Sequence, residues 1–243
     1  MKLSVTICAY NEQDWVGDTL NSLLNQKRLP DEIIVVNNAS TDKTGDRVEQ
    51  FIAAHPEQNV RLIYEGKKGL HHARETAWRS ASGDLIATTD ADIRFPPRWL
   101  QIFEEEFAAQ PDIAAMTGPV RYFDALPFIN WFTWFWEQFN QPEGIGKWFS
   151  KEHHLNGNNT VYRRTALEAV NGFLDKPPKI LEDMHIGAKL RAGHYGLRYI
   201  RRNPVWVTFR RYKKDGWRGY WRYMFAYNLD NLEALYPDHT QDI

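Results

Sequence analysis

The sequence predicts one α/β domain whose mostly parallel central sheet is flanked by helices. Apolar, strand-like runs alternate with segments of helical spacing over residues 3–90, and such units build parallel sheets with right-handed crossovers. The composition agrees with a folded domain, since 43% of residues are hydrophobic and 25% are charged. A chain of 243 residues can bury a substantial core.

Four strands are predicted where apolar runs end in polar residues, at 3–9, 32–36, 60–64 and 84–89. The first helix is predicted to begin at Asp14, the second to follow a cap at Ser40 or Thr41, and the third to cover 70–80. The ends of the first, second and fourth strands are therefore expected at one edge of the sheet, where open α/β sheets bind ligands.

Further elements are predicted in the second half. A helix follows Pro96–Pro97, and a strand is predicted over 113–121. A turn at 156–159 precedes a strand and a short helix, and another helix is predicted to begin at Glu182 and to stop at Gly193.

The segment from Phe128 to Phe139 is unusually aromatic. On a helix this run is apolar on nearly all sides, yet it is too short to span a bilayer. Three interpretations stay open: a buried core helix, a helix that faces a membrane interface or a lipid acceptor, and a wall that stacks against sugars.

The cysteine usage and the apolar patterning exclude several classes of protein. A single cysteine, Cys8, lies within an apolar run, so a disulfide framework is excluded and a reducing compartment is favoured. Residues 3–10 are too short for a secretory leader, and no apolar run reaches about 18 residues. We therefore expect a cytoplasmic protein that is soluble, or peripheral at the inner face of a membrane.

The charge is unevenly distributed along the chain. The formal net charge is -1, but residues 198–222 contain nine Lys or Arg and one Asp, which gives +8. We expect this segment to face something anionic. The aromatic and basic residues from Trp217 to Leu235 suggest an amphipathic helix that rests on anionic lipid. Nucleic acid is not expected as a partner, since no nucleic-acid recognition motif accompanies the basic stretch.

Two carboxylates, Asp90 and Asp92, follow the fourth strand and are separated by one small residue. Carboxylates with phosphate oxygens are typical ligands of Mg²⁺ or Mn²⁺. The chain lacks a Gly-x-Gly-x-x-Gly after the first strand and a Gly-rich loop ending in Lys-Ser or Lys-Thr. A phosphate would therefore need such a metal as its counter-charge. The alternative is that Asp90 and Asp92 bind no metal and only form a solvated turn between a strand and a helix.

Four segments together resemble the ordered signature of the family 2 glycosyltransferases, which have the GT-A fold. They are AYNE at 9–12, VVNNASTD at 35–42, the stretch 69–84 containing Ala73-Arg74 and ASGD, and DAD at 90–92. Their shared order and spacing are more specific than any one of them. The resemblance implies a single GT-A domain over 1–243, with a nucleotide-sugar-binding half at 1–120 and an acceptor half at 121–243.

The resemblance also implies roles for individual residues. Those placed around a nucleoside-diphosphate sugar are Ala9, Tyr10, Glu12, Asn38, Arg74, Asp90 and Asp92. Asp92 is the expected principal ligand of Mn²⁺ or Mg²⁺, and Asp90 touches the ribose or the metal. Asn38 stands where many members carry an acidic residue that binds uracil. Because an amide both donates and accepts hydrogen bonds, a UDP-sugar and a GDP-sugar both stay open as the donor.

On the acceptor side, Asp183 matches the general base in the Glu-Asp pair of the family. Inverting transfer is an in-line displacement in which the acceptor hydroxyl loses its proton, so a nearby carboxylate is required. The alternative is that Glu182 and Asp183 only stabilise the helix, because the helix dipole favours carboxylates in the first turn. Asn158 and Asn159 are expected to offer amides to a sugar hydroxyl, although turn propensity explains them almost as well.

Some family members carry a metal-binding His in the region that here spans 205–212, but this region contains none. Arg210 and Arg211 are expected to clamp the diphosphate instead, because a guanidinium matches phosphate geometry. The Gln-x-x-Arg-Trp motif of processive members is also missing. We therefore expect transfer of a single sugar.

The sequence thus predicts a metal-dependent, inverting glycosyltransferase of the hexosyltransferase type. Its expected acceptor is a glycan hydroxyl, including one on a lipid-linked or cell-envelope glycan. Two alternatives stay open, a nucleotidyltransferase that makes a sugar nucleotide and a non-catalytic module that binds sugar or lipid.

Overall fold

The computed structural model describes residues 1–141, 154–174, 181–210 and 212. The strands in these ranges are β1 (Leu3–Ala9), β2 (Glu32–Asn38), β3 (Val60–Glu65), β4 (Leu85–Asp90), β5 (Ile93–Arg94), β6 (Ile113–Thr117), β7 (Val120–Tyr122), β8 (Thr160–Arg163), β9 (Gly196–Tyr199) and β10 (Val205–Val207). The helices are α1 (Val16–Leu24), α2 (Thr44–Ala54), α3 (Leu70–Ser80), α4 (Trp99–Ala109), α5 (Pro127–Asn140), α6 (Arg164–Ala169) and α7 (Glu182–Ala192).

The main sheet has seven strands in the order β3-β2-β1-β4-β8-β6-β9. The strands β3, β2, β1 and β4 run parallel to one another, β8 lies antiparallel between β4 and β6, and β9 runs parallel to β6. The prediction of a mostly parallel sheet flanked by helices is therefore confirmed.

The sheet is covered on both faces, because every residue of β1 and β2 is buried. The β2 side chains Ile33 and Val35 pack in one core with α1, α2 and α4. Side chains such as Ile34 and Val36 pack in a second core with α3, α6 and α7. Alternate residues of one strand thus anchor helices on opposite faces, and the strand ends are held in a fixed register.

The prediction of a single strand over 113–121 is wrong. Gly118 and Pro119 separate β6 from β7, and β7 belongs to a second sheet with the order β5-β10-β7. Proline donates no backbone hydrogen bond to a ladder. A Cβ on Gly118 would lie 2.3 Å from the Asn203 carbonyl oxygen, so only glycine fits this close approach. The chain therefore changes sheets here.

The predicted helix cap at Ser40 or Thr41 is also wrong, since α2 begins at Thr44. An Asp42 carboxylate oxygen accepts the Thr44 N–H at 2.9 Å. Ser40 and Thr41 instead bind Asn11, through the Asn11 N–H at 3.0 Å and the Asn11 side-chain oxygen at 2.8 Å. These residues tie the loop after β1 to the loop after β2.

The helix α5 is not buried in the core, so that interpretation of the aromatic run is wrong. Ile129 and Thr133 are buried on one side, but Phe128 and Trp131 are more than half exposed on the other. The interface and sugar-stacking interpretations stay open at this point. Within the described part of the chain, no helix is both long and apolar enough to cross a membrane.

Asn159 connects the two sheets from a fully buried position. Its side-chain oxygen accepts the Trp99 indole N–H at 2.8 Å. Its amide nitrogen donates to the carbonyls of Pro119 and Asn203 at 2.9 and 3.0 Å. The structure thus gives Asn159 a packing role, and its contact with an acceptor stays a prediction.

Replacing Asn159 by Ala should lower the free energy of unfolding by about 3 kcal/mol, because three buried polar partners lose their hydrogen bonds. Urea denaturation followed by circular dichroism measures the change. The control is Asn158→Ala in the neighbouring, partly exposed position, which should cost far less. Equal losses in the two variants would contradict the packing role.

Candidate active site

The carboxyl ends of β1, β2 and β4 meet at one edge of the main sheet, as predicted. Ala9 pairs with Asn37 across β1 and β2, and Cys8 pairs with Asp90 across β1 and β4. The residues that follow these strands therefore line one cleft. Beside Ala9, the Tyr10 hydroxyl accepts from the Lys68 ammonium at 3.0 Å, and this ammonium lies 4.4 Å from the Tyr10 ring centre.

Asn38 is buried beneath this cleft. Its amide nitrogen donates to the carbonyls of Glu65 and Lys67 at 3.2 and 2.8 Å, and its oxygen accepts the Gly69 N–H at 2.9 Å. Asn38 therefore shapes the loop between β3 and α3. Its contact with a nucleobase stays a prediction.

Arg74 on α3 is the central cation of the site, with 2% of its side chain exposed. Its Nη2 lies 3.2 Å from an Asp90 oxygen, and its Nε lies 3.3 Å from a Glu182 oxygen. It also donates to the Gly157 carbonyl. One guanidinium therefore joins the end of β4, the start of α7 and the turn before β8.

Gly157 is needed for this close packing. A Cβ at this position would lie 2.9 Å from Arg74 Nη2 and 3.1 Å from a Glu182 oxygen. The Gly157 carbonyl also accepts the Thr88 hydroxyl at 3.0 Å. The turn that the sequence predicted for acceptor contacts thus places its backbone against the floor of the cleft.

Asp183 lies beside this bridge, in the first turn of α7. Its two oxygens accept the N–H of Gly157 at 3.2 Å and of Met184 at 2.7 Å. Burial, and then the neighbouring Glu182 charge, raise the pKa of Asp183 to about 7. A carboxyl with this pKa is ionised in a large fraction near neutral pH and still accepts a proton well, which suits a general base.

Arg210 lies over the opposite part of the cleft. Its guanidinium contacts Glu12 and lies 3.4 Å from an Asp92 oxygen. Burial, followed by the Asp92 charge, raises the pKa of Glu12 to about 7. The Arg210 segment is anchored by Asp124, which accepts the Thr208 hydroxyl at 3.1 Å and the Phe209 N–H at 2.5 Å. Arg211 lies outside the described residues, as do residues 217–235.

The donor set at the strand ends fits a divalent cation. Asp90 and Asp92 supply hard carboxylate oxygens, and the buried Glu12 Oε2 has no hydrogen-bond partner among the described residues. In the described ranges, no three His, Cys, Asp or Glu side chains are grouped closely enough to hold a metal by themselves. A bound ion would therefore need oxygens from the ligand as well.

A family model described as glycosyl transferase family 2 matches residues 4–170. The chain belongs to glycosyl transferase family 2.

Relatives and solved structures agree with this family and fold. The chain is 29% identical over 234 residues to a probable glycosyltransferase, YdaM, of Bacillus subtilis, covering 91% of this chain and 53% of that protein. It is 22% identical to a glucosyl-dolichyl phosphate glucuronosyltransferase of Haloferax volcanii, covering all of this chain and 80% of that protein. The chain thus spans about half the length of the first of these two relatives.

A solved structure of the mannosyltransferase PcManGT from Pyrobaculum calidifontis, in complex with GDP-Man and Mn2+, has a similar fold. The TM-score is 0.69 at 24% identity, and the match covers 93% of this chain and 61% of that one. The likeness shows the GT-A fold predicted from the sequence.

Sequence reasoning missed several parts of this family 2 site. It placed Arg74 near the base or the diphosphate, whereas the structure places it beneath the cleft as a bridge between carboxylates. It did not single out Gly157, Thr88 or Asp124. No local pattern marks these residues, because each acts through partners far away in the sequence. Asn158 lies partly exposed at the same turn as Gly157, and its contact with an acceptor stays a prediction.

Replacing Arg74 by Met should lower the free energy of unfolding by about 3 kcal/mol or more, because two carboxylates lose their buried counter-charge. The control is Arg79→Met on the same helix, where the half-exposed side chain pairs with Glu75. That variant should cost less than about 1 kcal/mol. Urea denaturation at neutral pH compares the two, and an equal loss would contradict the bridging role of Arg74.

Proposed function

We propose that this protein is a metal-dependent, inverting glycosyltransferase that moves one sugar from a nucleoside-diphosphate sugar to an acceptor hydroxyl. The observation that carries the proposal is the Arg74 bridge. Because one guanidinium contacts both Asp90 and Glu182, it holds one carboxylate of the donor side and one of the acceptor side at the same place in the proposed cleft. Asp183 lies next to Glu182 in that cleft.

Asp183 is the proposed general base. It takes the proton of the acceptor hydroxyl while the acceptor oxygen forms its bond to the anomeric carbon. The bond from that carbon to the diphosphate oxygen breaks in the same displacement, and the nucleoside diphosphate leaves. The N–H groups of Gly157 and Met184 hold the two Asp183 oxygens and so fix the direction of the carboxylate.

Asp92, assisted by Asp90, is the proposed holder of Mn²⁺ or Mg²⁺. The bound ion supplies positive charge to the departing diphosphate. Arg210 already pairs with Asp92 and Glu12, so a donor diphosphate would find a guanidinium at the same place. Tyr10, Glu12 and Asn38 are the proposed neighbours of the nucleoside, and a UDP-sugar and a GDP-sugar both fit this assignment.

The proposed acceptor is a glycan hydroxyl, including one carried on a lipid at the cytoplasmic face of a membrane. Two observations support a lipid-linked acceptor. A relative that matches the whole chain is named for transfer to a glucosyl-dolichyl phosphate, and α5 carries exposed aromatic side chains in the acceptor half.

Replacing Asp92 by Ala should abolish the metal-dependent binding of a nucleoside diphosphate. The readout is the rise in melting temperature caused by UDP or GDP with Mn²⁺, since a ligand that binds only the folded protein stabilises it. Replacing Asp183 by Asn should keep this rise but slow turnover of the nucleotide sugar by at least about a hundredfold. The control is Asp18→Ala, an exposed carboxylate paired with Arg94 outside the cleft.

Normal turnover in Asp183→Asn would reject the base assignment, and an unchanged Mn²⁺ effect in Asp92→Ala would reject the metal assignment. Release of pyrophosphate from a nucleoside triphosphate and a sugar phosphate would instead identify a nucleotidyltransferase. If no nucleotide sugar is turned over even on prolonged incubation, the non-catalytic alternative is favoured.

Turnover should rise with pH through about 7 and level off above it, because only the ionised form of Asp183 accepts the proton. Replacing Glu182 by Gln removes the neighbouring negative charge that raises the Asp183 pKa. The midpoint of the rise should therefore move to lower pH in Glu182→Gln. The pH dependence of kcat measures this, with the exposed Glu168→Gln as the control. An unmoved midpoint in Glu182→Gln would contradict the assignment.

A further inference from the structure

The helix α5 presents a group of exposed apolar side chains that has no assigned role in the chemical step of the proposed transfer. We call it the aromatic stripe, and it consists of Leu126, Phe128, Trp131, Trp134 and Phe135, which are 65, 55, 61, 48 and 40% exposed. These five make up the majority of the nine large hydrophobic side chains that are exposed in the described residues. Exposed apolar residues normally occur singly, so this clustering indicates an interaction surface.

The stripe follows from helical spacing. Phe128, Trp131 and Phe135 are three and four residues apart, so they lie on one side of the helix. The rings of Trp131 and Phe135 stack with centres 5.7 Å apart and planes at 14°. The aromatic side chains therefore form one ordered surface rather than separate exposed rings.

The opposite side of α5 is fixed to the protein. The Asn130 side chain donates to the Tyr122 carbonyl and accepts the Tyr122 N–H, both at 2.8 Å. Arg121 forms two hydrogen bonds with Glu137 at 2.7 and 2.8 Å. Turning the stripe inward would break both contacts, so these contacts hold the stripe toward solvent.

An exposed arginine, Arg201, lies beside the stripe. The Arg201 guanidinium contacts the Gln138 side chain, one turn after Trp134 on α5. Arg198 and Arg202 are exposed close by in the chain, and Arg202 pairs with Glu106 at 2.9 Å. By sequence, residues 198–222 carry a net charge of +8, although five of their nine basic residues lie outside the described ranges. Trp and Phe with neighbouring Arg or Lys favour the interface of an anionic bilayer, where rings enter the headgroup region and cations meet lipid phosphates.

We infer that the aromatic stripe docks this protein on an anionic lipid bilayer, with α5 lying in the interface. The inference deepens the proposed use of a membrane-borne acceptor, but its test measures binding without turnover. The loop between β7 and α5 contains Asp124, which anchors Thr208 and Phe209 next to Arg210 at the cleft. Docking through α5 therefore places the lipid surface next to the element that lies over the proposed donor site.

The test is sedimentation of the full 243-residue chain with vesicles of phosphatidylcholine mixed with phosphatidylglycerol, and with vesicles of phosphatidylcholine alone. We expect binding to the anionic vesicles, and weaker binding at high salt because the basic side chains are screened. Trp131→Ser combined with Trp134→Ser should weaken vesicle binding by about tenfold or more, since two rings no longer enter the interface.

The matched control is Tyr64→Ser combined with Trp206→Ser, which removes two exposed aromatic side chains outside the stripe. It should bind vesicles within about twofold of the wild type. Melting temperatures confirm that both double variants are folded. The Mn²⁺-dependent stabilisation by UDP or GDP should be unchanged in the stripe variant, so a failure of docking is distinguishable from a failure of the proposed function.

Three results would overturn the inference. The wild type fails to bind the anionic vesicles, or the stripe and control variants lose binding equally. The third such result is that the stripe variant binds vesicles like the wild type but has a different oligomeric state in sedimentation velocity. That result would identify the stripe as a surface between copies of the chain.

Discussion

The site depends on one buried charge. The Arg74 guanidinium is almost completely buried, so its positive charge requires carboxylates within contact distance. Asp90 comes from the end of a parallel strand, and Glu182 comes from the first turn of a helix about ninety residues later. Neutralising one cation therefore holds the end of β4 and the start of α7 in a fixed relation. Asp183, which immediately follows Glu182, is positioned by the same constraint.

The insertion of β8 into the main sheet makes this relation possible. This strand pairs antiparallel with β4, although many residues separate the two in the chain. Asp90 ends β4, and Asp92 follows two residues later. The turn before β8 is consequently placed under the cleft, where Gly157 lets the backbone approach Arg74 and Glu182. Two residues later, Asn159 joins the main sheet to the second sheet. One turn thus serves both the site and the packing of the fold.

The electrostatics of the cleft follow from crowding carboxylates into partly buried positions. Burial and like charges raise the pKa values of Glu12 and Asp183 to about 7, because water no longer stabilises their ionised forms. Arginines offset this at two places, with Arg74 beneath the cleft and Arg210 over it. Such a site favours a cation near Asp92 and a proton acceptor at Asp183, which are the two requirements of the proposed transfer.

Three features were predicted correctly from the sequence: the alternation of strands and helices, the edge of the sheet where polar residues gather, and the family. These features follow from short-range patterns, since apolar periodicity and a motif such as DAD at 90–92 can be recognised within one segment of the chain. The errors arose where a distant contact overrides the local pattern. Gly118 and Pro119 send the chain into another sheet, and a helix that is apolar on nearly all sides keeps one side exposed.

The fold, by contrast, determines which polar residues are buried beneath the ends of the strands. The sequence assigned Arg74 and Asn159 to ligands, but folding buries both among partners 16 to 108 residues away. Hydrogen bonds and ion pairs of this kind form between segments that only the complete fold brings together. Residue spacing and secondary-structure propensity describe only neighbours along the chain, so they do not predict the geometry of these contacts.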